Sequence, residues 1–119
     1  MESWEEHAIR RPHLPDRATV YEVGPRDGLQ NEAETLPARD RVAFVDLLTD
    51  SGLPAIEVGS FVSPKAVPQL ADTDEVFRRI RKASGVRYPV LVPNEKGLER
   101  ALAAGALEIA VFTAASETF

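Results

Sequence analysis

The chain has 119 residues, of which 44% are hydrophobic and 28% are charged, and its net charge at pH 7 is −5. A chain of this length can bury one core. The acidic balance argues against nucleic acid as a partner, because non-specific binding needs a basic surface. The sequence contains no cysteine, which excludes a disulfide framework and thiolate chemistry.

The first 17 residues form a polar arm, and the predicted domain covers residues 18–119. The arm has no apolar segment of the kind found in secretory signals. His7 and His13 lack the spacing of metal ligands, and we interpret both as surface residues. The apolar stretches of the chain are too short to span a bilayer, so we expect a cytoplasmic protein without membrane contact.

From residue 19 the sequence alternates between predicted strands and predicted helices. The strands are short and mostly apolar on both faces, as in parallel sheets covered by helices; they cover residues 19–23, 55–58, 88–92 and 107–112. Three segments with apolar residues at helical spacing separate them, from Pro37 to Gly52, from Asp72 to Gly85, and from Asn94 to Gly105. This order predicts one parallel sheet with its strands in sequential order.

Two of the predicted helices carry recognisable signals at their ends. Gly52 is placed to end the first helix in a left-handed conformation. Asp72 is a favourable N-cap for the second helix, and Glu75 three residues later completes the pattern of a capping box.

Two architectures fit this order of elements: a small open α/β sheet, or the first half of a (β/α)₈ TIM barrel. A complete barrel needs about 250 residues, so this chain would hold half of one. In both architectures ligands bind at the carboxyl ends of the strands. The polar residues that follow the strands are therefore the candidates for function: Arg26, Asp27, Gln30, Asn31, Glu32, Ser60, Ser63, Lys65, Asn94, Thr113, Ser116 and Glu117.

Arg26 and Asp27 form an Arg-Asp pair after the first predicted strand. The carboxylate of Asp27 can bind a hard divalent cation such as Mg²⁺, which prefers oxygen ligands. The guanidinium of Arg26 can stabilise an oxyanion or polarise a carbonyl. The alternative is a structural ion pair, which is the favoured interpretation for an arbitrary Arg-Asp dipeptide.

Glu57 lies in an otherwise apolar predicted strand. A buried carboxylate is costly unless it is paired, so one interpretation is a metal-site residue or a partner of Arg26. The other interpretation, equally open at this point, is a side chain that faces solvent at the end of the strand. Glu22 in the first strand is open to the same two interpretations, but the case for a functional role is weaker because Glu22 precedes the strand end.

Several long motifs resemble the hydroxymethylglutaryl-CoA lyases. Residues 21–32 resemble the family's first strand and the loop after it, and residues 56–65 and 67–72 resemble its second strand and loop. Residues 89–94 and 114–117 match further along. Related metallolyases share the Arg-Asp-Gly core but usually continue with Glu-Gln, so the Leu-Gln-Asn-Glu sequence at residues 29–32 favours the lyase branch.

The resemblance implies cleavage of 3-hydroxy-3-methylglutaryl-CoA, an acyl-CoA substrate, to acetyl-CoA and acetoacetate in leucine breakdown and ketone-body formation. It also implies a divalent metal, Mg²⁺ or Mn²⁺, with Asp27 as a ligand. By the same resemblance Arg26 contacts the thioester carbonyl and stabilises the enolate, and Glu57 is an active-site acid near the cation. Gln30 and Ser60 match positions in the substrate pocket.

The family's remaining site residues have no counterpart in this sequence. They are a His-x-His pair, an Asn and a catalytic Cys, all in the second half of the barrel. We therefore expect a fragment that is inactive on its own, with open strand edges near Val20 and Val111 that favour self-association. The alternatives are a sister metallolyase or acyl-CoA/2-oxo acid synthase, and a non-catalytic half-barrel. A reading frame that continues past Phe119 would favour the enzyme.

Overall fold

The structure is a computed structural model that describes residues 13–116. Most of the predicted polar arm, including His7, lies outside the described residues, as does the predicted strand-end residue Glu117. His13 is exposed, in agreement with its interpretation as a surface histidine. Within residues 13–116, no helix has both the length and the apolar character that crossing a bilayer requires.

The described chain is an α/β fold in which strands and helices alternate as predicted. The elements in chain order are β1 (Tyr21–Glu22), α1 (Ala38–Asp50), β2 (Ala55–Ile56), α2 (Thr73–Arg79), β3 (Val90–Leu91), α3 (Glu95–Ala104) and β4 (Ile109–Ala110). A π-helical turn at Gly24–Gly28 follows β1, and a 3₁₀ turn at Pro68–Leu70 lies in the loop after β2. The strands are shorter than the apolar segments that predicted them.

The strands lie side by side in sequential order and all neighbours are parallel. Regular pairing joins β1 to β2 and β3 to β4, and hydrogen bonds such as Ile56 N–H to the Arg87 carbonyl (2.9 Å) join β2 to β3. The pairing between β2 and β3 consists of isolated bridges because the next regular bond would need an N–H from Pro89, and proline has none. The predicted order and parallel direction are confirmed, but the regular pairing forms two two-stranded sheets joined by these bridges and not one continuous sheet. Among the described residues β1 and β4 are the two edges, and the strands do not close into a barrel.

The core lies between the sheet and the three helices. It is formed by one or two residues from each helix and by the strand residues that face them: Val45, Ile56, Val58, Val76, Phe77, Val90 and Ala101. The predicted apolar stripes are correct in part. Leu102 of α3 has the spacing of a buried apolar residue but is 63% exposed, whereas the polar Arg41 and Thr49 of α1 are buried.

Helix α2 ends earlier than the sequence predicts, at Arg79 and not at Gly85. The reason lies in contacts with other elements. The N–H of Arg81 donates to the carboxylate of Asp46 on α1 (2.9 Å), and the N–H of Ala83 donates to the Tyr88 hydroxyl (2.9 Å). These backbone donors are therefore not available to continue the helix. Gly85 adopts a left-handed conformation (φ +80°) in the turn before β3.

The predicted capping box at the start of α2 is wrong. Asp72 is the N-cap residue, but its backbone is left-handed (φ 59°) and its side chain makes no capping hydrogen bond. Glu75 instead accepts a hydrogen bond from Arg79 one turn later (3.0 Å). The cap that the structure does contain is Asn94, whose side-chain oxygen accepts from the N–H of Gly97 (2.8 Å) at the start of α3.

The predicted ends of α1 and α3 are confirmed. Gly52 follows α1 with φ +89° and Gly105 follows α3 with φ +91°. Both are left-handed conformations that glycine adopts without a steric cost.

Candidate active site at the carboxyl end of the sheet

A tight turn after β1 positions the Arg-Asp pair. The carbonyl of Val23 accepts hydrogen bonds from the N–H groups of Arg26 (3.1 Å), Asp27 (2.7 Å) and Gly28 (3.1 Å). A Cβ at Gly24 would lie 2.9 Å from Glu22 Oε1, so a side chain there would require the Glu22 carboxylate to move. That carboxylate accepts from the N–H of Gly24 (2.8 Å), so Glu22 stabilises the turn.

Glu57 is the buried anion of the site, with 3% of its surface exposed. The Nε–H of Arg26 donates to its Oε1 at 2.6 Å, and the hydroxyl of Tyr21 donates to its Oε2 at 2.6 Å. The interpretation of Glu57 as a solvent-facing residue is therefore wrong, and its interpretation as a partner of Arg26 is confirmed. Two donors on one buried carboxylate supply the pairing that such a group needs.

Tyr21 is a member of this network that the sequence reasoning missed. Burial and the hydrogen bond to Glu57 raise the pKa of Tyr21 above its ordinary value. The phenol is therefore protonated, and a hydrogen-bond donor, throughout the neutral range. The alternation of side chains along the strands could have identified Tyr21. It lies opposite Ala55 in the parallel pair β1–β2, and side chains two residues apart share a face, so Tyr21, Ala55 and Glu57 lie on one face of the sheet.

Asp27 lies beside this network but is much more accessible. Its side chain is 54% exposed, and its Oδ1 lies 3.3 Å from Nη1 of Arg26. Among residues 13–116 no group of three or more His, Cys, Asp or Glu side chains is arranged to hold a metal ion. Both oxygens of Glu57 accept hydrogen bonds, whereas the exposed carboxylate of Asp27 is accessible to a cation. The described residues alone do not form a complete metal site.

Three of the predicted site residues line one cavity of about 340 Å³ at this end of the sheet. Arg26, Gln30 and Glu57 form its polar side, and its apolar side comes from β3, β4 and the chain after β4: Leu91, Ala110, Val111 and Phe112. Asp27 and Ser60 are not among the lining residues. Ser60 is buried (2% exposed), and its hydroxyl has no hydrogen-bond partner in the described structure.

The loops after β1 and β2 are held by hydrogen bonds that the sequence reasoning did not find. The side chain of Gln69 donates to the carbonyl of Glu32 (2.8 Å) and so ties one loop to the other. The buried Arg41 of α1 donates to the carbonyl of Ala71 and to the hydroxyl of Thr73. These contacts fix the positions of both loops relative to the sheet.

Another cavity, of about 350 Å³, lies at the opposite end of the sheet, where Arg87 and Glu108 precede β3 and β4. Arg87 donates to the Glu108 carboxylate through both Nε and Nη2, and these hydrogen bonds lower the pKa of the Glu108 carboxyl. None of the predicted site residues lies in this cavity. The carboxyl end is therefore the candidate active site.

The fold and this site define a parallel α/β protein with a paired arginine, a buried glutamate and an exposed aspartate at its strand ends. Comparison with known protein families identifies which family this is: the family described as HMGL-like matches residues 17–119. The chain belongs to the HMGL-like family.

Individual relatives are similar over nearly the whole chain. The mitochondrial hydroxymethylglutaryl-CoA lyase of Rattus norvegicus is 55% identical over 89% of this chain and 33% of its own length. The cytoplasmic 3-hydroxy-3-methylglutaryl-CoA lyase of Danio rerio is 53% identical over 98% of this chain and 35% of its own length. The chain therefore spans about a third of the length of these relatives.

Solved structures agree with this similarity. The crystal structure of hydroxymethylglutaryl-CoA lyase from Pseudomonas aeruginosa matches with a TM-score of 0.85 and 56% identity, over 89% of this chain and 35% of that protein. An HMG-CoA lyase from Acinetobacter baumannii in complex with coenzyme A and 3-methylmalate matches with a TM-score of 0.81 and 44% identity, over 84% of this chain and 33% of that protein.

Proposed function

We propose that the chain supplies the N-terminal half of the (β/α)₈ barrel of a lyase that splits 3-hydroxy-3-methylglutaryl-CoA into acetyl-CoA and acetoacetate, in leucine breakdown and ketone-body formation. The observation that carries the proposal is the hydrogen-bonded network of Arg26, Glu57 and Tyr21 beside a cavity at the carboxyl end of a parallel sheet. Relatives that are 53–55% identical carry the name of this lyase. The relative solved with coenzyme A supports an acyl-CoA substrate.

Arg26 is the residue that would meet the negative charge of the reaction. When the carbon–carbon bond breaks, the acetyl-CoA fragment leaves as an enolate with charge on the thioester oxygen. Glu57 holds the Nε of Arg26, which leaves the terminal nitrogens of the guanidinium for the substrate. A donor that is already oriented stabilises a developing oxyanion without the cost of reorganisation. Arg26 would therefore lower the activation barrier to carbon–carbon bond cleavage by stabilising the charge on this oxygen.

Glu57 would act on Arg26 and on the charge of the site. Its carboxylate partly neutralises the guanidinium and fixes its direction, so the arginine is held in place before substrate binds. Gln30 lines the same cavity and can donate an amide N–H to a substrate oxygen. The buried Ser60 hydroxyl has no hydrogen-bond partner among residues 13–116, and since buried polar groups normally have one, this supports a role in binding substrate in the complete barrel, although Ser60 does not line the cavity described above.

Asp27 would hold a divalent cation, Mg²⁺ or Mn²⁺, through one carboxylate oxygen. A bound cation would polarise the tertiary hydroxyl of the substrate and ease its deprotonation. The single ligand that the described residues offer means that water and other parts of a complete barrel would supply the remaining positions.

A chimera tests the proposal directly. Residues 13–116 of this chain would replace the matching third of the P. aeruginosa lyase, with which they share 56% identity. We expect the purified chimera to release acetoacetate from 3-hydroxy-3-methylglutaryl-CoA with Mg²⁺ or Mn²⁺. A chimera that folds as the parent does but has no activity, or that acts only on another acyl-CoA or 2-oxo acid, would contradict the proposal.

We further propose a cytoplasmic location. The relatives' names include both compartments, and the cytoplasmic one from D. rerio aligns over more of the chain than the mitochondrial one from R. norvegicus (98% against 89%). Fractionation of cells that express the untagged protein would test this, and recovery with mitochondria would contradict it.

A further inference from the structure

Tyr21 reaches the buried carboxylate from the open edge of the sheet. In the parallel pair β1–β2 it lies directly opposite Ala55, and alternation along the strand places Glu57 on the same face of the sheet. Its hydroxyl donates to Glu57 Oε2 at 2.6 Å. The ring itself is partly accessible, with 37% of the residue exposed.

The contact between Arg26 and Glu57 is a single hydrogen bond. Only Nε of Arg26 reaches the carboxylate, at 2.6 Å from Oε1, so the pair lacks the two parallel bonds of a fork-to-fork arrangement. The terminal torsion of a glutamate is broad and has only weak preferences. One bond to one oxygen therefore does not fix the plane of the carboxylate.

We infer that Tyr21 is a positioning residue, which holds the second oxygen of Glu57 and thereby fixes the direction in which Glu57 presents Arg26 to the cavity. With Tyr21 on Oε2 and Arg26 on Oε1, both ends of the carboxylate are anchored. The consequence for turnover rests on the proposed function, whereas the effect on the geometry of Arg26 does not.

The phenol is suited to this task because it remains a donor. Burial, the hydrogen bond to Glu57 and the charges of Glu57 and Glu108 raise the pKa of Tyr21, while Arg87 opposes them. The hydroxyl therefore keeps its proton over the pH range in which the site would work.

The first test uses the 119-residue chain and a spectroscopic signal of Arg26. The side-chain Nε–H of Arg26 is assigned in ¹H–¹⁵N spectra by its loss in Arg26→Lys, and its exchange with solvent is measured. We expect Tyr21→Phe, which removes only the hydroxyl, to speed this exchange by roughly 3- to 10-fold, the factor that corresponds to losing one hydrogen bond, because the carboxylate that protects the Nε–H is no longer fixed.

Tyr88→Phe is the matched control. The Tyr88 hydroxyl also makes buried hydrogen bonds, with Thr49 at 3.0 Å and Ala83 at 2.9 Å, but it does not contact the Arg26–Glu57 pair. We expect this variant to leave the Arg26 exchange unchanged at matched stability. An unchanged Arg26 signal in Tyr21→Phe, or an equal change in both variants, would overturn the inference.

The second test is kinetic and uses the chimera. We expect Tyr21→Phe to lower kcat by roughly 3- to 10-fold, less than the loss of about 10²-fold expected when an oxyanion donor itself is removed, with a smaller change in KM. Tyr88→Phe should change neither. An inactive parent chimera would contradict the proposed function and leave the exchange measurement to decide on Tyr21. An active chimera that is unaffected by Tyr21→Phe would contradict the role of Tyr21 in turnover.

Discussion

Arg26 makes two contacts of very different strength. Its Nε donates to the buried Glu57, whereas its Nη1 lies 3.3 Å from the 54% exposed carboxylate of Asp27. Exposed ion pairs contribute little, about 0–1 kcal/mol, because water screens them. The contact with Asp27 can therefore be exchanged for a cation or a substrate oxygen at small cost, while the contact with Glu57 persists.

This difference predicts separate effects for the two residues in the chimera. Arg26→Met should lower kcat by roughly 10²-fold, the scale for removing one oxyanion-stabilising donor. Asp27→Ala should raise the apparent Kd for Mn²⁺, measured by electron paramagnetic resonance of the free ion. The increase should be about tenfold or more, because loss of a residue that only supports a metal ligand already costs about that much.

Asp40 and Arg39 provide matched controls for these variants. They form another exposed neighbouring pair, with Asp40 53% exposed and 3.9 Å from Arg39. Asp40→Ala and Arg39→Met should change neither Mn²⁺ binding nor kcat. Near-normal turnover in Arg26→Met, or normal Mn²⁺ affinity in Asp27→Ala, would show that these residues do not have the proposed roles.

The raised pKa of Tyr21 predicts how stability depends on alkaline pH. A group that holds its proton more tightly in the folded state stabilises that state fully below its unfolded pKa, here 10.0, and loses this contribution as pH rises above it. The difference in urea midpoint between wild type and Tyr21→Phe should therefore be constant up to about pH 9 and shrink above pH 10. A difference that stays constant to pH 11.5 would show that Glu57 and burial do not act on the phenol as described.

At the start of a helix the first backbone N–H groups have no carbonyl partner within the helix, and a side chain can accept a hydrogen bond from one of them. Asn94 satisfies the N–H of Gly97 at the start of α3, whereas Asp72 makes no such bond at the start of α2. Asn94→Ala should lower the free energy of unfolding by about 1 kcal/mol, the usual cost of losing an N-cap.

Glu75→Ala is the comparison for this prediction. Glu75 would belong to a capping box at the start of α2, but in the structure it pairs with Arg79 on the surface, where the two side chains are 49% and 48% exposed. Such a pair is worth about 0.3–0.5 kcal/mol. Urea unfolding of both variants distinguishes the cases, and a loss of stability in Glu75→Ala as large as that in Asn94→Ala would show that Glu75 does act in a capping box.

The order of the elements could be predicted from the sequence because it depends on local patterns. Apolar runs between turn residues gave the strands, and glycines such as Gly52 and Gly105 marked helix ends. The early end of α2 could not be predicted, because the backbone N–H groups that follow it donate to side chains: Arg81 to Asp46, which is 35 residues away, and Ala83 to the Tyr88 hydroxyl.

The candidate site was predictable to a similar extent. Position at a strand end selected Arg26 and Glu57, and the structure brings them together. Tyr21 was missed because its partner lies 36 residues away and is reached only once the register of β1 against β2 is known. Arg41 was missed because a charged residue on a helix is usually exposed, and the acceptors that allow its burial, the Ala71 carbonyl and the Thr73 hydroxyl, lie about 30 residues away at the start of α2.

The molecule as a whole ends in two open strand edges. β1 and β4 each have one hydrogen-bonded neighbour among the described residues, and apolar side chains near both edges are exposed: Val20 55%, Tyr21 37%, Ile109 41% and Val111 74%. Strand edges with free N–H and C=O groups pair readily with other strands. Because β1 and β4 are parallel, two copies related by a two-fold axis could pair the β1 edge of each with the β4 edge of the other.

We therefore predict that the 119-residue chain self-associates when it is purified alone. Size-exclusion chromatography with light scattering should give a dimer or larger species whose fraction rises with concentration. Val111→Lys places a charge at the β4 edge, a substitution that discourages edge pairing, and should shift the protein toward monomer. Leu47→Lys, at a residue of α1 that is 69% exposed and away from both edges, should not.

The last prediction is that this chain alone has no useful lyase activity. Asp27 can fill one position of an octahedral Mg²⁺ shell, and no cluster of three or more metal-binding side chains exists among residues 13–116, so water must fill most of the shell and affinity should be poor. The cavity beside Arg26 is walled by β3 and β4 on one side, and the chain spans about a third of the length of its lyase relatives. A substrate bound there would not be held in a reactive geometry, which costs far more in rate than in binding.

Acetoacetate release should therefore stay at background for the purified chain with Mg²⁺ or Mn²⁺, and appear in the chimera under the same conditions. A stable monomer that turns over substrate at ordinary enzyme rates would show that the described residues form a complete site and that the catalytic residues have been assigned wrongly.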